Sequence, residues 1–166
     1  MPTTTIRKKS ILWTWLMLVM LIPLLSVFGR SLQRMVKSQI SPTALALLFG
    51  SVSLFMIGAL AIWFGKHGHR GWFWHLFWVI PLFILFPMTL PIVEERLHFI
   101  LFGAFGFLSM LVFSPVTALV VSLLGSGLDE ALQWALPDRV GDWRDVGFNL
   151  LACLGGAGAA FFGMRK

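Results

Sequence analysis

Six apolar stretches, 11–28, 43–64, 72–93, 97–113, 116–136 and 146–163, each hold at least 17 residues, and little polar sequence lies between them. About 20 apolar residues cross a bilayer core, with about 17 as the lower limit. Backbone groups inside hydrocarbon find no water to bond, so a crossing of this length is a helix. The expected fold is all-α and integral to the membrane: a bundle of about six transmembrane helices with a polar pocket at one membrane face, forming a single multi-pass domain over residues 1–166. With 58% hydrophobic and 12% charged residues, no polar stretch is long enough for a separate soluble domain. Ser114 and Pro115 alone separate the fourth and fifth stretches, and a residue before proline leaves the helical region, so a tight turn is expected there. Arg7, Lys8 and Lys9 precede the first stretch as they would in a signal peptide. That stretch exceeds the usual apolar core of about 7–15 residues and no small-x-small cleavage site follows it, so a retained anchor is expected.

Charge is distributed unevenly along this frame. The first 93 residues carry eight Lys or Arg and no acid, and all seven acids lie between Glu94 and Asp145. Carboxylates beside apolar runs are costly in lipid and usually face a bundle interior. The cations flank apolar runs instead of clustering with aromatics, which argues for topology and headgroup contacts and against nucleic acid. Six crossings place the connections 29–42, 94–96 and 137–145 on one face, so acids dispersed in sequence become neighbours in space. The N-terminal side collects Arg7, Lys8, Lys9, Lys66, Arg70, Arg165 and Lys166, one cation more than the other side, which predicts a cytoplasmic N-terminus. In the first connection, Arg30, Arg34 and Lys37 share one face and Leu32, Met35, Val36 and Ile40 another, the pattern of a short interfacial helix.

Helical spacing sharpens the acid cluster. Glu94, Glu95 and His98 lie along one side of the fourth helix, with Phe102, Phe105 and Ser109 continuing below. Ser122, Ser126, Asp129 and Gln133 form a polar stripe on the fifth, bordered by Glu130. On the sixth, Asp142, Asp145 and Asn149 lead into Ala152, Gly156, Ala160 and Gly163, a small-residue face that lets a second helix approach closely. Asp142 or Asp145 is accounted for as readily by a cap on the sixth helix or an ion pair with Arg139 or Arg144. Three stripes converging at one face favour a functional site. His67 and His69 form an HxH pair on the opposite side with no acid nearby, which reads as a solvated loop; no metal site and no cofactor are expected. The single cysteine, Cys153, lies within the last apolar run and excludes an intrachain disulfide.

The ordered series Glu95-Arg96-Leu97-His98-Phe99, Asp129-Glu130-Ala131-Leu132-Gln133 and Arg139-Val140-Gly141-Asp142-Trp143-Arg144-Asp145-Val146, with Asn149 and Gly155, resembles the VanZ-like family of bacterial membrane proteins, with a core at 93–160. The resemblance implies a helical protein of the bacterial cytoplasmic membrane, and a link to glycopeptide (teicoplanin) resistance through the founding member. Together with the placement of the acids, it suggests a protein that binds or acts on an amphipathic cell-envelope molecule with a lipid-linked or headgroup substrate. On that reading His98, Glu130 and Asp145 carry acid/base chemistry, and Gln133, Arg139, Asp142, Asn149 and Asp129 contact the substrate. The alternatives are a non-catalytic membrane subunit or assembly factor with a membrane protein partner, using the aromatic third helix with Pro81, Pro87 and Pro91, and a small solute conduit along the Ser122 to Gln133 stripe.

Overall fold

The computed structural model describes residues 2–67, 72–90, 93–137 and 141–164, with side chains for 8–66, 73–90, 95–137 and 141–164. Arg139, His69 and Arg70 lie outside the described residues, as do the side chains of His67 and Glu94. Among the described residues six helices follow one another: α1 (Pro2–Gln39), α2 (Pro42–His67), α3 (Phe73–Thr89), α4 (Val93–Val112), α5 (Pro115–Ala135) and α6 (Trp143–Met164). All but α3 are long and apolar enough to cross a membrane. Leu24, Phe28, Leu47, Phe55, Val116 and Leu128 are among many large apolar side chains left exposed on the outside of the bundle. Such a surface is stable against lipid and not against water.

Burial identifies the centre. Half of the apolar window of α6 and 44% of that of α4 are buried, against 11% for α1 and α2. Glycine is what brings α4 and α6 together: a Cβ on Gly156 would stand 1.9 Å from the Gly103 carbonyl oxygen, and one on Gly106 would stand 2.0 Å from the Cys153 carbonyl oxygen. The face of small residues on α6, with Ala152, Gly156, Ala160 and Gly163 all buried, is therefore a helix-packing seam as expected. Around it, Phe99, Phe102 and Phe105 form the core with Ala152 and Cys153.

Contacts along the helices give their directions. The Trp15 Nε1–H donates to Ser109 Oγ at 2.9 Å, while Ser26 donates to Asp129, so α1 runs against α4 and alongside α5. At the opposite end Phe64 and Phe162 stack on His75 with centroids 5.5 and 5.3 Å away, and at the Ser26 end Phe86 packs edge-on against Phe99 and Phe148. Helices α1 to α6 thus alternate in direction. The first, third and fifth connections gather at one end of the bundle.

Two expectations need correction. Residues 29–42 do not form a separate interfacial helix: α1 continues unbroken to Gln39, so Arg30, Arg34 and Lys37 follow the apolar stretch on the same helix, with Arg34 about 9 Å past Phe28 at 1.5 Å per residue. The third stretch, expected to extend to residue 93, is shorter and irregular. It starts with a 3₁₀ turn over Trp72–His75, widens to a π turn over Pro81–Leu85 where the Phe86 N–H reaches the Pro81 carbonyl, and ends at Thr89. Proline supplies no N–H and its ring collides with the carbonyl four residues back, so the helix widens to pass Pro81 and Pro87. Leu90 then turns extended, with ψ 133°, as a residue ahead of Pro91 prefers. The Arg96 guanidinium closes this corner, donating from Nε at 3.0 Å and Nη2 at 2.7 Å to the Leu90 carbonyl. The Ser-Pro turn forms as expected: Ser114 is extended, its Oγ accepts from the Thr117 N–H at 3.3 Å, and Pro115 opens α5.

Candidate functional site

The polar stripes of α5 and α6 meet α4 at the end of the bundle where the first, third and fifth connections lie. On α5, Ser122, Ser126, Asp129, Glu130 and Gln133 are all buried, and Glu130 is fully enclosed at 0% exposure. Asp129 is held from three helices: Ser26 of α1 donates to Oδ1, while the Gln133 amide at 3.2 Å and the Asn149 amide at 3.3 Å both donate to Oδ2. Gln133 Nε2 also donates to Glu130 Oε1 at 3.0 Å, so one side-chain amide ties the two adjacent carboxylates together. Glu130 Oε2 accepts the Asp142 backbone N–H at 3.1 Å, which sets a carboxylate against the positive end of α6.

Asn149 orients His98. A carboxylate only accepts, so the Asn149 group facing Asp129 is its NH2, and its Oδ1 is left facing His98 Nδ1 at 2.8 Å. An amide oxygen only accepts as well. The Nδ1 of His98 therefore carries a proton and donates it to Asn149, which leaves Nε2 as the ring nitrogen open to another partner.

At the rim, Asp142 caps α6. Its Oδ1 accepts the Arg144 N–H at 2.9 Å and its side chain is 54% exposed, so the cap anticipated for Asp142 or Asp145 is made by Asp142. Arg144 crosses to α4 and pairs with Glu95, which is 8% exposed. It also lies 3.8 Å from Asp142 and 5.6 Å above the Phe148 ring. Asp145 is half-buried, within electrostatic reach of His98 and Asp129. Its Oδ1 and the Oε2 of Glu95 are buried oxygens with no hydrogen-bond partner among the described residues. Gly141 leaves room for Trp134, whose Cδ1 would lie 2.0 Å from a Cβ there, and Trp134 meets Trp143 edge-on at 4.7 Å.

Five of the residues singled out in the sequence, His98, Asp129, Glu130, Gln133 and Asn149, are thus joined in one hydrogen-bonded network. Asp142 touches it through its backbone, Asp145 stands beside it, and Arg139 lies outside the described residues. Ser26 was not anticipated, because a single serine in an apolar helix has no periodic signal. The Glu95–Arg144 pair was also missed, since spacing along one helix says nothing about a partner on another. His98, Asp129 and Glu130 each offer one ligand atom, and these atoms lie within 4.8 Å of one another.

The family model described as VanZ/LLP1 matches residues 10–163, and the chain belongs to that family. The match extends the likeness seen in the C-terminal half of the sequence back through α1, the helix that supplies Ser26. No curated protein and no solved structure matches the chain.

Proposed function

We propose that this member of the VanZ/LLP1 family binds, and acts upon, the polar end of an amphipathic envelope molecule in a pocket at the extracytoplasmic ends of α4, α5 and α6, with its N-terminus in the cytoplasm of a bacterial cell. The observation that carries the reading is the network itself. Two buried adjacent carboxylates, an imidazole held through its Nδ1 and two amides are drawn from three helices into one place, where lipid makes idle charge costly. In this reading His98 takes a proton at Nε2, Glu130 and Asp145 serve as proton donor or acceptor, and Asp129, Gln133, Asn149 and Asp142 position the polar group. Arg139 would meet an anionic group. An apolar cavity of about 370 Å³ lies between α2, α3, α4 and α6, lined by Met56, Trp63, Phe83, Ile100 and Phe107. It suits the hydrocarbon part of such a molecule. A role in glycopeptide resistance would follow if that molecule is a cell-wall precursor.

Two observations favour a second reading, a non-catalytic subunit of a larger membrane complex. Asp129 finds all its partners inside the protein, while Phe73, Trp74 and Phe77 present an exposed aromatic surface on α3. Mass spectrometry of lipids and peptidoglycan precursors in deletion, wild-type, Glu130→Gln and Asp145→Asn cells separates the two. A precursor that accumulates alike in the deletion and in abundant point variants supports the pocket reading. Unchanged metabolites, with variants lost from a co-purifying complex, would support the subunit.

A further inference from the structure

We infer that His98, Asp129 and Glu130 form a binding site for one divalent transition-metal ion. The three ligand atoms lie within 4.8 Å of one another. Three ligands held about 2.1 Å from a common ion in tetrahedral geometry lie about 3.4 Å apart, so side-chain movements of up to about 0.8 Å each complete the site. One imidazole nitrogen with two carboxylate oxygens is a donor set suited to Zn²⁺, Mn²⁺ or Fe²⁺; Ca²⁺ and Mg²⁺ favour oxygen ligands throughout.

The surroundings match what a metal site requires. Metal-ligating histidines donate their other N–H to a carbonyl or carboxylate, and His98 Nδ1 does so to Asn149 Oδ1 at 2.8 Å. Asn149 also donates to Asp129, and Gln133 donates to both Asp129 and Glu130, so two amides orient all three ligands. A separate observation concerns Asp145, whose Oδ1 is buried with no hydrogen-bond partner among the described residues and which lies within electrostatic reach of His98 and Asp129. Glu95 has its counter-charge in Arg144, so Asp145 is the carboxylate that a dication beside His98 would face. The inference concerns the same residues as the proposed pocket but does not need the envelope substrate, since ion binding is measured on the protein alone.

The test uses the untagged full chain in detergent, stripped with EDTA and titrated with Mn²⁺ or Zn²⁺. About one ion per chain is expected, with the nitrogen coupling of a bound imidazole in the pulsed EPR spectrum of the Mn²⁺ form. His98→Ala and Asp129→Asn should weaken binding at least tenfold, Asn149→Ala by about 10–100-fold as for other outer partners of metal ligands, and Ser109→Ala at the far end should leave it unchanged. Elution volume and thermal unfolding show which variants are folded, and the nitrogen coupling of the wild type needs no variant at all. A wild-type protein that takes up neither ion would overturn the inference. So would a bound ion without nitrogen coupling, or one held equally by His98→Ala.

Discussion

Replacing Gly156 with alanine tests whether the α4–α6 seam sets the geometry of the site. The new Cβ would stand 1.9 Å from the Gly103 carbonyl oxygen, 2.8 Å from its carbon and 2.9 Å from the Phe107 nitrogen. All three are backbone atoms, so no side chain can swing aside. Restoring ordinary contact near 3.4 Å requires the helices to part by about 1.5 Å. Transmitted two turns up α6, that shift stretches the His98–Asn149 bond from 2.8 Å to about 4.3 Å, beyond hydrogen-bond range. Overpacking costs about 1–3 kcal/mol, and a buried polar group left without its partner costs about 1–3 kcal/mol more. The better helix propensity of alanine returns about 0.5–1 kcal/mol, leaving a net loss of about 1–5 kcal/mol. Gly127→Ala is the control, because a Cβ there meets nothing within 4 Å, and it should be neutral or slightly stabilising. Reversible unfolding by SDS in mixed micelles, followed by tryptophan fluorescence, compares the two. If both variants unfold within about 0.5 kcal/mol of each other, the range of an ordinary surface change, the seam does not carry the structural weight assigned to it.

Three further outcomes are expected. Ser26→Ala removes a hydrogen bond to a buried carboxylate and should lower stability by about 1.5–3 kcal/mol in the same unfolding assay; a change below about 0.5 kcal/mol would separate α1 from the network. Arg96→Ala should open the α3–α4 corner and lower the thermal unfolding temperature, while Arg96→Lys, a single point charge in place of a two-pronged donor, should recover only part of the loss; full recovery would deny the paired contact to Leu90. Single cysteines at Ser38, Thr89 and Trp143 in a Cys153→Ala background should all react with an impermeant thiol reagent from the same side of the membrane. Protection of one while the others label would break the alternation of six helices.

The parts of the site that were legible in the sequence are those written along single helices. Ser122, Ser126, Asp129 and Gln133 recur at helical spacing in lipid-soluble surroundings, as do Asp142, Asp145 and Asn149, so their shared burial or shared face could be read before any coordinates. Crossing parity then brought the two stripes and His98 to one end. Glu130 sits one residue off its stripe, and its complete burial depends on α6 beginning directly above it, where the Asp142 N–H finds its carboxylate. The unbroken run of α1 past Phe28 was hidden for a different reason. Arg30, Gln33, Arg34 and Lys37 resemble a surface segment by composition, yet all are adequate helix formers, and the backbone continues through them. In α3 the prolines signalled a distortion without saying that it would be a π turn.

The central claim is that the network around His98, Asp129 and Glu130 holds the polar end of an envelope molecule. Its most direct test is mass spectrometry of the lipids that remain with the full chain after purification from bacterial membranes, set against the bulk membrane extract. The account predicts enrichment of one phosphate- or precursor-bearing lipid with the wild type, lost in a folded Gln133→Leu variant. Bound lipid that mirrors the bulk membrane in both proteins would contradict it.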